Sequence, residues 1–299
     1  MLQSKLHSSS RPYLYGTCVL SPSPHFIQVA KACSLDFVFL DTEHIPLDRH
    51  QLSWMCRAYA EANVPCIVRV PSVVDASGGA TQVLDGGAAG VVAPYIETVE
   101  QVLTLVGQCK LRPLKGSLLE ACKDRLRTVA LETVSTPQTS YNNPLQHLTD
   151  VLPAETIAFM NSSNQSNNLL FINIESQAGI MNLPQLLNVP GIDGVFVGPK
   201  DLSVNFGVPC QWDSKVFLEA CDTIVVECAK RGLSVANHYS FKNAIAYQKR
   251  WRALGANMCI HMTDMKLFQK ALSQDLEEIR GGAASSTRID NVVGKVDDV

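Results

Sequence analysis

Charged and polar side chains stand at the ends of several short apolar segments of this sequence. Four such ends read Asp41-Thr-Glu-His44, Arg69-Val-Pro, Asn173-Ile-Glu175 and Gly198-Pro-Lys-Asp201. An ionisable group at the end of a buried strand needs a partner or a metal ion, because burial of an uncompensated charge is costly. The pattern therefore indicates a catalytic or binding site that is assembled from several strand ends.

Glu175 and Asp201 are the most informative pair, because they follow successive predicted strands. Two carboxylates that approach each other repel unless a cation lies between them. A divalent ion such as Mg²⁺ or Mn²⁺ binds two carboxylates and completes its coordination with water and substrate oxygens. Alternatively, each carboxylate caps the helix that follows it, and the spacing alone leaves both interpretations open.

Arg69 and His44 offer two further kinds of chemistry. The guanidinium of Arg69 can grip a substrate carboxylate through two parallel hydrogen bonds, or it can pair with an acid of a neighbouring loop. His44 can act as a base near neutral pH if an acid holds its ring, or it can be a buried structural histidine. Asp41 and Glu43 are local acids that could hold the ring, and Asp85 is a distant one.

Eight apolar segments must position these residues. They are rich in Val, Ile and Phe without strict alternation, which is typical of strands buried on both faces of a parallel sheet. The predicted strands are Leu14–Leu20, Phe37–Asp41, Cys66–Val70, Gly90–Tyr95, Leu169–Glu175, Gly194–Gly198, Leu233–Asn237 and Asn257–Met262. Helical spacing of apolar residues predicts helices between them, including Leu47–Asn63, Ser214–Arg231, Tyr239–Leu254 and Asp264–Arg280.

Strands that alternate with helices eight times favour an α/β fold, the (β/α)₈ TIM barrel. An open doubly wound sheet is the alternative, but it normally carries a G-x-G-x-x-G turn, which this sequence lacks. We predict one barrel domain over residues 13–280, with a flexible N-terminus at 1–12. Residues 116–168 form an irregular excursion that is too long for one βα connection, and 281–299 form a polar, disordered tail.

The composition excludes several classes of protein. The 299 residues include 25 basic and 28 acidic side chains, so there is no basic excess for binding nucleic acid. No apolar run approaches the roughly 20 residues of a membrane span, and we expect no membrane association. The ten cysteines include no C-x-x-C pair, which favours reduced core thiols in a cytoplasmic protein. The remaining histidines of the predicted strand ends, His238 and His261, are interpreted as structural.

Five stretches of this sequence resemble the HpcH/HpaI aldolase family, the class II pyruvate aldolases. That family includes 2-keto-3-deoxy sugar acid aldolases and macrophomate synthase. The resemblance covers about residues 13–275, is weakest across 116–168, and is most specific in the last stretch, with its G-P-x-D-L-S motif. The matching stretches are FVFLDTEH (37–44), IVRVP (67–71), VLDGGAAGVVAPYIET (83–98), INIES (172–176) and NVPGIDGVFVGPKDLSVNFG (188–207).

The resemblance implies a barrel of the phosphoenolpyruvate/pyruvate-domain type and a role for each matching residue. Glu175 and Asp201 match the metal ligands, and Arg69 matches the arginine beside the pyruvate carboxylate and enolate. His44 and Asp85 match a histidine–aspartate pair for acid–base catalysis, and Asp41 matches a second acid near it. The substrate-binding positions implied are Arg69, Asn173, Gly198, Pro199 and Lys200.

The implied activity is that of a carbon–carbon lyase that cleaves or forms 4-hydroxy-2-oxo acids through a metal-bound pyruvate enolate. Its partners are then a divalent cation (Mg²⁺, Mn²⁺ or Co²⁺), pyruvate or oxaloacetate, and an aldehyde or other acceptor, in a homo-oligomer such as a hexamer. A macrophomate-synthase-like decarboxylase of oxaloacetate and an inactive assembly subunit are alternatives, and a Schiff base on Lys200 is a remote one. Many family members have Gln where this chain has Asn173, and the position of Lys200 is commonly uncharged.

Overall fold

The structure is a computed structural model that describes residues 2–8, 10–71, 79–132, 143–163, 167–241 and 243–280. Its centre is a closed barrel of parallel strands that pair in chain order, with the last strand beside the first. The strands are β1 (Leu14–Cys18), β2 (Phe37–Asp41), β3 (Cys66–Arg69), β4 (Gly90–Ala93), β5 (Leu169–Ile174), β6 (Gly194–Val197), β7 (Ser234–Tyr239) and β8 (Met258–Thr263).

The eight predicted strands and the barrel are confirmed. The boundaries shift by one or two residues, and β2 has the predicted bounds. The largest consequence concerns β7, which runs to Tyr239 and therefore includes His238 within the strand.

In the described residues, thirteen α-helices surround or cap this barrel. They are α1 (Leu2–Leu6), α2 (His25–Ala32), α3 (Arg49–Glu61), α4 (Gly79–Asp85), α5 (Val99–Lys110), α6 (Gly116–Glu132), α7 (Ala154–Ser162), α8 (Gln177–Met181), α9 (Leu183–Leu187), α10 (Pro199–Asn205), α11 (Lys215–Lys230), α12 (Ala244–Leu254) and α13 (Asp264–Ile279). The four helices predicted in the sequence correspond to α3, α11, α12 and α13, each shorter at one or both ends. Because each long helix returns antiparallel to the strands, its last residue lies at the end of the barrel opposite the strands' carboxyl ends.

Two apolar layers hold the barrel together. One fills the space between strands and helices, and includes Val38, Leu40 and Val68 from the outward faces of β2 and β3. The other fills the barrel interior, where Phe39 and Phe171 both pack against Phe196. The strands are therefore buried on both faces, which explains their continuous apolar sequence.

Residues 2–8, which were predicted to belong to a flexible N-terminus, include the short helix α1, and this helix closes the lower end of the barrel. Leu2 and Leu6 are buried in the interior layer. His7 Nε2 lies 3.0 Å from the Asp193 carboxylate, and Lys5 donates to Asp36, so two polar contacts attach the segment to residues that precede strands. The apolar leucines at i and i+4 of a short polar sequence were the overlooked signal.

The excursion at 116–168 is more regular than predicted. It consists of α6, a 3₁₀ turn at Pro144–His147 and α7, all before β5. Part of it, and the tail at 281–299, lie outside the described residues. None of the described helices has the length and apolar character that a membrane crossing requires. The ten cysteines are free thiols, and most of them are buried as predicted.

Candidate active site

The carboxyl ends of β2, β3, β5 and β6 meet at one mouth of the barrel, where a cavity of about 710 Å³ opens. Most of the predicted site residues lie here. The cavity wall includes His44, Arg69, Asn173, Gly198, Pro199, Lys200 and Asp201. Parallel strands place their carboxyl ends at the same rim, which is the rim that carries active sites in this architecture.

Arg69 and Asp41 form the central ion pair of this site. They are register partners on adjacent strands, and Arg69 Nε and Nη2 donate to the two oxygens of Asp41 at 2.9 and 2.5 Å. Burial alone would raise the pKa of Asp41, but hydrogen bonds from His44 and Arg69 outweigh it and hold that pKa below its ordinary value. The pair of parallel hydrogen bonds that was predicted to bind a substrate carboxylate is therefore made to Asp41, and Nη1 is the guanidinium nitrogen that is directed elsewhere.

Arg69 Nη1 lies between two further carboxylates. It is 3.0 Å from Glu43 and 3.9 Å from Glu175. Oxygen and nitrogen atoms of Asp41, Glu43 and His44 lie within 4.8 Å of one another, close enough to bind a metal ion. However, the guanidinium already forms ion pairs with Asp41 and Glu43, so we assign this cluster to Arg69 rather than to a metal ion.

His44 lies at the rim, with a side chain that is 42% exposed, and Asp41 orients its ring. Its Nδ1 is 3.1 Å from Asp41 Oδ2 and 2.8 Å from Arg69 Nη2. Nδ1 cannot donate to the carboxylate and accept from the guanidinium at the same time. The hydrogen bond to Asp41 raises the pKa of His44, which favours the form with a proton on Nδ1. When the ring is neutral in that form, Nε2 is its basic nitrogen.

Glu175 is the buried carboxylate of the site, only 2% exposed. Its Oε1 accepts a hydrogen bond of 2.7 Å from Asn173 Nδ2, and its Oε2 accepts one of 3.0 Å from the backbone N–H of Tyr95. Burial raises the pKa of Glu175 to about 7; the charge of Arg69 opposes this shift and that of Asp201 adds to it. The charge of Asp201 therefore acts on Glu175, and a cation bound to both carboxylates would relieve this repulsion.

The segment that follows β6 lies directly against Glu175. A Cβ atom on Gly198 would lie 1.9 Å from Glu175 Oε1, so only glycine allows this approach. Pro199 begins α10, and Asp201 lies in its first turn with a partly exposed side chain. The charge of Asp201 contributes to the raised pKa of Glu175, and the binding of one cation by these two carboxylates stays a prediction.

The predicted pair of His44 and Asp85 is not formed within this chain. Asp85 is the last residue of α4, its side chain is 68% exposed, and its carboxylate pairs with Arg112 at 2.6 Å. A helix that returns antiparallel to the strands ends at the opposite end of the barrel, far from the rim where His44 lies. Among the described residues, Asp41 is the carboxylate that hydrogen-bonds to His44.

Two site residues were underestimated from the sequence. Glu43 contacts Arg69, and its position inside the Asp41–His44 motif was the available signal. His238 was interpreted as structural, but it lines the cavity next to Phe39. Burial lowers the pKa of His238 to about 4, so the ring is neutral at pH 7. Its Nε2 is out of contact with solvent and has no hydrogen-bond partner within the described residues.

Comparison with known proteins places this barrel among aldolases. The sequence model of the HpcH/HpaI aldolase/citrate lyase family matches residues 15–271. A hydroxypyruvate/pyruvate aldolase of Agrobacterium fabrum is 26% identical over 257 residues, which cover 86% of this chain and 85% of that protein. The match therefore extends over the whole barrel rather than over one motif.

Solved structures agree with the fold. An HpcH/HpaI aldolase from Desulfitobacterium hafniense has a TM-score of 0.72 at 20% identity, over 96% of this chain and 98% of its own. The citrate lyase beta subunit from M. tuberculosis, solved with oxaloacetate and magnesium, has a TM-score of 0.50 at 12% identity. That match covers 86% of this chain and 93% of its own. At such low identities the likeness shows the shared barrel.

Proposed function

Because this chain is an aldolase of the HpcH/HpaI aldolase/citrate lyase family, a carbon–carbon lyase, we propose that it cleaves or forms 4-hydroxy-2-oxo acids through the enolate of pyruvate, with a divalent cation bound. The observation that carries the proposal is the meeting of one buried carboxylate, one arginine and one carboxylate-held histidine at the rim of the barrel. These groups are Glu175, Arg69 and His44.

Glu175 and Asp201 are the proposed ligands of the cation. The donor set fits a hard divalent ion, because both are carboxylates and the first is buried with a pKa raised to about 7. A second observation also favours a cation here: Asn173 Oδ1 is a buried oxygen without a hydrogen-bond partner within the described residues. Mg²⁺, Mn²⁺ and Co²⁺ all suit such a set, and the M. tuberculosis relative of the same fold was solved with magnesium. Bound there, the cation would polarise the keto oxygen of the substrate and stabilise negative charge on it.

Arg69 supplies the second positive charge in this proposal. Its Nη1 lies 3.9 Å from Glu175 Oε1, so an enolate oxygen bound to a cation at Glu175 would lie beside a fixed hydrogen-bond donor. Asp41 holds the other two nitrogens, which keeps the guanidinium in place before substrate arrives. A hydrogen-bond donor that is already oriented needs no reorganisation when negative charge develops on the substrate oxygen. The backbone around Pro199–Asp201 is the proposed cradle for the substrate carboxylate, as the family resemblance implies.

His44 is the proposed proton carrier, and Asp41 takes the place predicted for Asp85. In the cleavage direction, Nε2 removes the proton of the 4-hydroxyl group as the bond between carbons 3 and 4 breaks. The products are an aldehyde and the enolate, which becomes pyruvate when carbon 3 is protonated. The hydrogen bond between Asp41 and Nδ1 stabilises the imidazolium that forms in this step.

An assay with purified protein tests this proposal. Pyruvate and a panel of aldehydes are offered with Mg²⁺, Mn²⁺ or Co²⁺, and product is measured with and without EDTA. We expect activity that EDTA abolishes and that Glu175→Gln and Asp201→Asn lack, while Glu219→Gln, at an exposed position of α11, keeps it. Activity that survives EDTA and is trapped by borohydride would instead indicate a Schiff base.

The same assay separates the alternative. Oxaloacetate is offered in place of pyruvate, and loss of CO₂ is followed with and without an acceptor. Addition to an unsaturated acceptor, without any aldol cleavage, would favour a macrophomate-synthase-like enzyme. Protein that shows no turnover and no exchange of the pyruvate methyl protons would favour an inactive assembly subunit.

We also propose a homo-oligomer, such as a hexamer, on the basis of α13. Its outward face carries exposed apolar side chains at helical spacing, namely Met265, Phe268 and Leu272. Phe268 is 60% exposed, which is unusual for so large an apolar group on a monomer. Multi-angle light scattering should find an oligomer for the wild type and smaller species for Phe268→Asp. A wild-type monomer would contradict the proposal.

A further inference from the structure

Tyr95 has a strained backbone conformation beside the proposed ligand Glu175. It lies two residues beyond the end of β4, and its φ is +56°, in the left-handed region that tyrosine rarely adopts. Such conformations persist only where surrounding contacts hold them, and they are concentrated at functional sites. Two hydrogen bonds hold Tyr95 here, one at its backbone and one at its hydroxyl group.

These two hydrogen bonds connect Tyr95 to both proposed ligands of the cation. Its backbone N–H donates to Glu175 Oε2 at 3.0 Å. Its hydroxyl oxygen accepts from Asn205 Nδ2 at 2.7 Å, and the same amide nitrogen donates to the backbone carbonyl of Asp201 at 3.0 Å. Because a carbonyl oxygen can only accept, the group of Asn205 that faces Asp201 is its amide nitrogen. One chain of hydrogen bonds therefore runs from the carboxylate of Glu175 to the backbone of Asp201.

Asn205 has a further contact that fixes the end of α10. Its backbone carbonyl accepts from Gln177 Nε2 at 2.9 Å. Gln177 begins α8, two residues beyond Glu175 in the sequence. Asn205 is the last residue of α10, and Asp201 lies four residues before it. The segments that follow β4 and β5 therefore both hold the helix that carries Asp201.

Ligands that are held in place affect divalent cations to different degrees. Mg²⁺ requires nearly octahedral geometry, with oxygen ligands at about 2.0–2.1 Å. Ca²⁺ accepts longer distances of about 2.3–2.6 Å in a flexible arrangement. A fixed separation of two carboxylates therefore matters more for the binding of Mg²⁺ than for the binding of Ca²⁺.

We propose that Tyr95 and Asn205 are positioning residues that hold the carboxylates of Glu175 and Asp201 at the separation that a small divalent cation needs. Tyr95 orients Glu175 through its backbone N–H. Its hydroxyl group, through the amide of Asn205, fixes the helical turn that carries Asp201. The inference rests on the proposed metal-dependent aldolase function, and it adds the residues that determine which cation the site accepts.

Removal of single groups from this chain of hydrogen bonds tests the inference. Tyr95→Phe removes only the hydroxyl group, and Asn205→Ala removes the amide at the end of α10. Binding of Mg²⁺ and of Ca²⁺ to each variant is measured by calorimetry. Mg²⁺ should bind about fivefold more weakly to either variant, the usual effect of one lost hydrogen bond. The affinity for Ca²⁺ should change by less than about twofold, so the ratio of the two affinities falls.

A control and a double variant accompany these measurements. Tyr15, near the amino end of β1, is 47% exposed against 42% for Tyr95, and its hydroxyl oxygen also accepts a hydrogen bond. Tyr15→Phe should therefore keep the wild-type ratio. The double variant of Tyr95 and Asn205 should bind Mg²⁺ no more weakly than Asn205→Ala, because the hydroxyl group acts through the amide. Losses that add independently would overturn this route, and circular dichroism checks that each variant is folded.

Exchange of the pyruvate methyl protons for deuterium, without any acceptor, separates this inference from the proposed function. If the wild type catalyses no metal-dependent exchange, the proposed function is refuted and this inference with it. If the wild type catalyses exchange that EDTA abolishes, but Tyr95→Phe and Asn205→Ala keep the wild-type ratio of Mg²⁺ to Ca²⁺ affinity, the inference is overturned and the function stands.

Discussion

The contact between Gly198 and Glu175 leads to a sharp prediction for Gly198→Ala. The new methyl carbon would lie 1.9 Å from Oε1 and 2.7 Å from Cδ of Glu175. To restore an ordinary contact of about 3.4 Å, the carboxylate oxygen must move away by about 1.5 Å. Gly198 has a φ of −90°, which alanine adopts without strain, so the substitution acts on the carboxylate rather than on the backbone.

The cost of that movement follows from the bonds that fix Glu175. Its two oxygens accept from Asn173 and from the backbone of Tyr95 at 2.7 and 3.0 Å, and a shift of this size breaks at least one of these bonds. A hydrogen bond to a charged group contributes about 1.5–3 kcal/mol. A misplacement of about 1 Å in a catalytic site can lower the rate about 100-fold. We therefore expect Gly198→Ala to bind divalent metal at least tenfold more weakly and to lose about 100-fold in pyruvate exchange.

Calorimetric titration with Mn²⁺ and the deuterium exchange assay measure these two effects. Gly79→Ala is the matched control, because a Cβ atom at Gly79 meets no atom of the described residues within 4 Å. The control should keep wild-type metal affinity and exchange. If Gly198→Ala binds Mn²⁺ and exchanges pyruvate protons like the wild type, Glu175 does not hold the cation in the way proposed.

Three further predictions concern single groups. The pKa of Glu175 is raised to about 7, so the unfolded chain releases this proton at a lower pH than the folded protein does. In EDTA, the free energy of unfolding should therefore fall by about 3 kcal/mol as the pH rises from about 4.5 through 7. Urea unfolding of Glu175→Gln should lack that pH dependence. Arg69→Ala should lose about 2–4 kcal/mol of transition-state stabilisation, measured from kcat/KM. A kcat/KM close to that of the wild type would exclude Arg69 as a hydrogen-bond donor to the enolate. Asp193→Asn should lower the free energy of unfolding in urea by about 3–5 kcal/mol, because the buried ammonium of Lys110, 2.8 Å from Asp193, would lose its partner carboxylate. An unchanged unfolding midpoint would show that this ion pair adds nothing to the stability.

The strands and the central site were predictable from the sequence for one physical reason. Parallel strands buried on both faces must be continuously apolar, so Phe37–Asp41 and Leu169–Ile174 stand out, and so does any charge at their ends. Asp41, Arg69 and Glu175 lie at such ends, and the structure places them together at one rim. The order of the strands then determines which ends are neighbours.

The features that the sequence did not predict depend on tertiary placement. Asp85 resembles an acid–base residue in its motif, but its position at the far end of α4 places it against Arg112. The spacing of Leu2 and Leu6 indicates an apolar face, but the lower end of the barrel that covers this face is formed by residues distant in the sequence. The direction in which α13 faces cannot be read from its spacing, because an amphipathic pattern defines two faces without stating which one is inside.

Deuterium exchange at the pyruvate methyl group is the measurement that tests the central claim most directly. The wild type is loaded with Mg²⁺, Mn²⁺ or Co²⁺ and followed by NMR without an aldehyde, beside Glu175→Gln and the surface control Glu219→Gln. We predict exchange in the wild type and in the control, abolished by EDTA and restored by added metal, and no exchange in Glu175→Gln. Exchange that is equally fast in EDTA or in Glu175→Gln would contradict a metal-dependent enolate site at Glu175.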